Sequence, residues 1–155
     1  MPKFTALATD IVRKLQSGAP DANGQPAERK VSDGAGNPCR HCLRDIPAGH
    51  EMLVLAHRPF ESVQPYSEVG PIFLCADPCQ RAEDTNTLPE ILTSSPDYLI
   101  KGYGSDERIV YGTGAVVAQK ALSQRIDSVL KDPRVRFVHV RSARNNCYQA
   151  RAERG

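Results

Sequence analysis

Four of the five cysteines fall in two close pairs, Cys39 with Cys42 and Cys75 with Cys79, and this spacing constrains the fold more than any other feature. Two cysteines separated by two residues can turn both sulfurs toward one point in a tight knuckle. After Cys39-Arg40-His41-Cys42 the run Ile46-Pro47-Ala48-Gly49 closes the turn and launches an apolar run at 52–57. After thirty-two intervening residues comes Cys75-Ala76-Asp77-Pro78-Cys79, at the end of the apolar Ile72-Phe73-Leu74. Zinc accepts four thiolates at about 2.3 Å in tetrahedral geometry, so Cys39, Cys42, Cys75 and Cys79 are the candidate metal ligands. Knuckle, strand, strand and a helix opening at Cys79 is the order of a treble-clef-like segment, spanning 39–84. Four thiolates on Zn²⁺ leave a net −2, which Arg40, Arg44 and Arg81 are near enough in sequence to offset. A redox pair and cysteines without metal remain the alternatives. A thioredoxin-like pair should follow a strand and open a helix, whereas Cys39 follows Gly36-Asn37-Pro38. Cys75 could also be a small buried hydrophobe.

A chain of 155 residues is the size of one domain, so 1–155 is expected to fold as a unit without needing staples. No apolar run reaches 18 residues, which excludes a membrane-spanning helix. The first seven residues do not look like a secretory signal. In such a chain paired cysteines suggest metal or redox chemistry before disulfides, and the cytoplasm is the expected location. The net charge of +2 is too small to imply nucleic acid. Six arginines against Glu153 in 134–155 make a basic stretch, but aromatic residues hardly interleave with them, so nucleic acid is not the expected partner.

Apolar Ala8, Ile11, Val12 and Leu15 predict a helix over 7–16, ended by Ser17-Gly18. The Pro/Gly/Asn-rich 18–38 reads as loop with at most one short strand at 28–31. Residues 52–57 and 72–74 read as buried strands, with a Pro-punctuated loop over 58–71 between them. Residues 98–101 and 108–111 read as a hairpin turned by 102–107, and 116–130 as the longest helix. A closing hairpin pairs 136–141 with 147–150 through Ala143-Arg144-Asn145-Asn146. Strands outnumber helices without alternating with them. The fold class is therefore α+β, a largely antiparallel sheet with two main helices.

Several of these stretches resemble a known family. Cys39-Arg40-His41-Cys42-Leu43, Pro59-Phe60, Pro65-Tyr66-Ser67-Glu68-Val69-Gly70-Pro71-Ile72-Phe73 and Arg141 to Cys147 are similar to a bacterial family catalogued as a domain of unknown function, the one numbered 1203. The resemblance runs from about residue 30 to 152 and implies no activity. Where this chain has Cys75, similar sequences tend to carry histidine, and the two residues replace one another at zinc ligand positions.

A second cluster lies outside the cysteine pairs. Arg141, Arg144, Asn146 and Cys147 bring two guanidiniums, an amide and a thiol into seven residues. With Glu68 and Tyr103 they form a candidate site for a small anionic ligand, or for an enzyme's substrate. That reading expects the 58–71 loop, the 102–107 turn and the 141–147 turn to converge. A polar hairpin turn is the plainer explanation for the asparagines. Cys147 is expected to lie outside the metal site. His139, between Val138 and Val140, would point to the face opposite theirs. Neither Gly102-Tyr103-Gly104 nor Gly112-Thr113-Gly114 completes a phosphate loop.

Overall fold

The computed structural model describes all residues from Met1 to Gly155. Eight strands and two α-helices follow in the order β1 (Pro2–Thr5), α1 (Thr9–Gln16), β2 (Glu28–Val31), β3 (Glu51–His57), β4 (Gly70–Cys75), β5 (Asp97–Tyr103), β6 (Ala115–Ala118), α2 (Leu122–Leu130), β7 (Phe137–Ser142) and β8 (Tyr148–Arg154). Short 3-10 turns occupy Glu90–Leu92 and Gln119–Ala121. The strands form a five-stranded sheet, β1-β8-β7-β5-β6, and a three-stranded sheet, β2-β3-β4. Every pairing is antiparallel. The fold is thus α+β, as the uneven succession of strands and helices indicated.

Each helix covers one sheet. Leu122, Ile126 and Leu130 recur along one face of α2 and pack on Ile100, Val138, Val140, Ala150 and Ala152 of the large sheet. Val12 and Leu15 of α1 pack with Met52, Leu53, Leu55, Ile72 and Leu74 of the small sheet. The knuckle joins the two clusters, because Leu43 belongs to the first and Cys39 and Ile46 to the second.

Alternation assigns the other face of the large sheet. With Val138 and Val140 turned to α2, Phe137, His139 and Arg141 of β7 face away from it. Directly opposite them on β5 stand Tyr103 for Phe137 and Lys101 for His139. On β8 the partners are Arg151 for His139 and Tyr148 for Arg141, with a bulge at Gln149. This second face is covered by the segment after β3, where Phe60 packs on Tyr103 and His139.

Four expectations need correction. The helix expected over 116–130 begins only at Leu122, because Val117 and Val116 pair as β6 against Tyr98 and Leu99. Val117 is buried and Val116 exposed, the alternation of a half-buried strand. The hairpin partner expected at 108–111 is reduced to one bridge, Tyr103 to Ile109. There Thr113 Oγ1 takes the Gly102 N–H at 2.9 Å and donates to Val110 O at 2.6 Å, turning the chain into β6. A Cβ on Gly102 would meet that hydroxyl at 3.0 Å. No helix opens at Cys79, and residues 80–84 have no regular structure. The expected segment keeps its knuckle and its two strands without that helix. Strand β1 was not foreseen. Pro2 is tolerated there because β1 is an edge strand, and Phe4 is fully buried.

Candidate functional site

The sequence brings the four paired cysteines together by two local devices. The first is the knuckle, in which the Leu43 N–H donates to Cys39 O at 2.9 Å and the Cys39 N–H to Arg44 O at 2.9 Å. Closing it puts Leu43 at φ +56°, a left-handed conformation that a non-glycine residue adopts at roughly 1–2 kcal/mol. Burial of the Leu43 side chain in the main core offsets that strain. The second is the end of β4, which delivers Cys75 and lets the chain turn through Asp77-Pro78 to Cys79. Helix α1 clamps this turn: Gln16 Nε2 donates to Cys75 O at 2.9 Å and Asp77 O at 3.1 Å, and Arg13 Nη2 to Cys79 O at 2.8 Å.

The ligand atoms of Cys39, Cys42, Cys75 and Cys79 all lie within 4.8 Å of one another. Cys39 Sγ and Cys79 Sγ are 3.9 Å apart, and all five cysteines are free thiols. A tetrahedron with arms of about 2.3 Å has edges of about 3.8 Å, so the spacing fits a four-thiolate metal centre. Cys39 Sγ also accepts the Cys75 N–H at 3.3 Å. The neighbouring thiols of Cys42, Cys75 and Cys79 favour the charged form of Cys39 and drive it toward thiolate. The same contacts with Cys39 push Cys75 and Cys79 up. A set of sulfurs this close cannot all ionise unless a cation joins them.

His41, inside the knuckle, is fully buried, and sequence reading did not give it a role at the sulfurs. Its Nδ1 lies 3.1 Å from Cys79 Sγ and its Nε2 2.9 Å from Thr9 Oγ1. Burial, with Arg13 and Arg81 nearby, holds its pKa below the ordinary histidine value. With Cys79 as thiolate, the neutral ring donates from Nδ1 to sulfur and accepts the Thr9 hydroxyl at Nε2, the arrangement that orients a metal ligand. Of the three arginines expected around the sulfurs, Arg40 is buried, donating to Tyr148 O at 2.8 Å and to Pro38 O, and burial pulls its pKa to about 10. Arg81 donates to Leu7 O and Ala6 O. Arg44 is exposed on an open depression of about 540 Å³ beside Cys42 and Cys79.

The second set of candidate residues separates into three places. Glu68, Arg141 and Asn146 meet: Glu68 Oε2 lies 3.3 Å from Arg141 Nη1 and accepts from Asn146 Nδ2 at 3.2 Å, while Lys101 Nζ donates to Oε1 at 3.0 Å. These cations hold the Glu68 carboxyl below its ordinary pKa in spite of burial. Tyr103 is buried on the same sheet face, with Arg141 and Glu68 among the charges acting on its phenol, and burial raises that phenol to about 12. Arg144 points elsewhere, to Asp97 at 2.8 Å, and is 65% exposed. Cys147 lies outside the sulfur cluster, at a separate cavity of about 330 Å³ lined by Arg40, Phe73, Ser142 and Gln149. Of the two arginines near Cys147 in sequence, Arg141 is committed to Glu68 and Asn146 O, and Arg144 to Asp97. The three segments expected to converge do meet, since Glu107 also accepts from Glu61 N and Ser62 N.

His139 lies on the face opposite Val138 and Val140, and is buried among Phe60, Tyr103, Phe137 and Tyr148. Asn146, at φ +56°, is the left-handed residue of the β7–β8 turn.

Residues 36–154 match the model of a family described as "Protein of unknown function (DUF1203)", and the chain belongs to that family. A search of curated proteins gave no match to this chain, and a search of solved structures likewise gave none. No helix is long and apolar enough to cross a membrane.

Proposed function

We propose that this chain is a small cytoplasmic zinc-binding protein in which Cys39, Cys42, Cys75 and Cys79 hold one structural zinc ion. The observation that carries this reading is the spacing of the sulfurs, 3.9 Å between Cys39 and Cys79 and no more than 4.8 Å between any ligand atoms, matched to a tetrahedral thiolate site. Four protein ligands leave no open coordination position, so the metal serves the fold and not a reaction. It ties the knuckle to the end of β4 and, through Gln16 and Arg13, to α1. With Leu43 in one core and Cys39 in the other, the segment 39–84 joins both sheets, and residues 1–155 fold as one unit. The gross contribution of such a site is about 10 kcal/mol or more when the ligands are free in the unfolded chain. Five cysteines without a disulfide suit a reducing compartment.

Metal analysis of protein purified without added zinc tests the proposal, together with Cys39→Ser. One zinc per chain and a variant that loses metal and cooperative unfolding are expected. Substoichiometric metal with a normally folded variant would overturn it.

A further inference from the structure

Arg141 is the least satisfied charged side chain in the protein. It is only 3% exposed, yet of its three nitrogens only Nη1 is engaged, donating to Asn146 O at 3.1 Å and facing Glu68. Nε and Nη2 are buried and bond to nothing. By covalent geometry those two N–H groups lie side by side along one edge of the guanidinium, the edge that takes both oxygens of a carboxylate. A buried donor left unpaired costs more than an ordinary hydrogen bond contributes, so two on one cation call for an acceptor.

Two further polar atoms on the same sheet face lack partners, Tyr103 Oη and His139 Nδ1. The rings of Tyr103 and His139 are 5.0 Å apart, and Arg141 acts electrostatically on both. Burial keeps the phenol protonated and the imidazole neutral, so each can form a hydrogen bond to an oxyanion without adding charge. The local charge is also unbalanced. Lys101 and Arg141 share one carboxylate, Glu68, which leaves one positive charge unmatched. Arg151, the next cation, is already paired with Glu153 at 2.8 Å. Apolar surface surrounds the group, supplied by Phe60, Phe137 and Tyr148.

We propose that Arg141, Tyr103 and His139 form a binding site for one small monocarboxylate with an apolar body, its two oxygens on Nε and Nη2 of Arg141. A single negative charge neutralises the cluster, whereas a dianionic phosphate would reverse its sign. Glu68, held by Lys101 and Asn146, fixes the other end of the guanidinium and keeps the free edge turned inward. Phe60 covers Tyr103 and His139 from a segment without regular structure and closes the site on its apolar side. The site is independent of the cysteine cluster.

Nitrogen-15 NMR of the Arg141 side chain in the purified protein provides the test, with benzoate, acetate, inorganic phosphate and chloride as probes. Benzoate is expected to shift the Arg141 Nε–Hε resonance saturably, with acetate weaker. Tyr103→Phe removes only the hydroxyl, and it should weaken benzoate by roughly fivefold, the equivalent of one hydrogen bond. Arg141→Lys, which lacks the fork, should abolish the response. Four results would overturn the proposal: no saturable shift tighter than about 10 mM, an equal shift with phosphate or chloride, Tyr103→Phe binding benzoate as the native protein does, or a crystal soaked in benzoate showing only water on Arg141.

Discussion

The imidazole of His41 bridges two elements, with Nδ1 3.1 Å from Cys79 Sγ and Nε2 2.9 Å from Thr9 Oγ1. The residue that closes the sulfur cluster is therefore hung from α1 by a histidine that belongs to the opposite cysteine pair. If Cys79 binds zinc, removing His41 leaves the sulfur without its orienting donor and the Thr9 hydroxyl without an acceptor. His41→Ala should keep the metal stoichiometry and weaken zinc affinity by about 10–100-fold, read by competition with a chromophoric chelator. Equal affinity in the two proteins would show that the ring does not serve the metal.

Leu43 supplies a second expectation, for the knuckle itself. It holds φ +56° and is 3% exposed in the core with Ile91 and Leu92. Leu43→Ala keeps the strained backbone and loses the burial, so it should destabilise the protein by about 2–4 kcal/mol in chemical denaturation. A loss below about 1 kcal/mol would mean that the side chain does not hold the knuckle in place.

The cysteine pairs were legible because each lies at a short local spacing, and two short spacings survive whatever lies between them. The sheet was legible where strands carry continuous apolar runs, as at 52–57 and 72–74. It was not legible at β1, whose pattern Pro2-Lys3-Phe4-Thr5 contains one buried large side chain and gains its order from β8. The strand β6 was read as helix because Ala118 continues the four-residue spacing of Leu122 and Ile126, and only pairing with β5 decides. At the Arg141 cluster, alternation along 137–141 placed His139 on the correct face. Lys101 and the isolation of Arg144 depend on cross-strand register, which no local pattern encodes.

His57 carries a pH signature. Burial, with Arg40 and Arg58 adding to it, lowers its pKa from 6.5 to about 4, and His139 beyond Tyr148 shifts the same way. The unfolded chain then binds more protons than the native state between these values. Stability is fully present above about pH 6.5 and declines as pH falls toward 4. His57→Gln removes one such group and should flatten that decline, by an amount on the order of 1–3 kcal/mol at the acid end. Denaturation of both proteins at each pH checks it, since every other titrating group is common to the pair. Parallel curves would contradict the depressed pKa.

In the proposed centre four sulfurs, from Cys39, Cys42, Cys75 and Cys79, surround one zinc. X-ray absorption at the zinc edge reads that shell directly. Four sulfur scatterers at about 2.3 Å are expected, unchanged in Cys147→Ser and reduced to three sulfurs plus a lighter atom in Cys75→Ser. Nitrogen or oxygen in the shell of the native protein, or a Cys75→Ser spectrum identical to it, would contradict the four-thiolate centre.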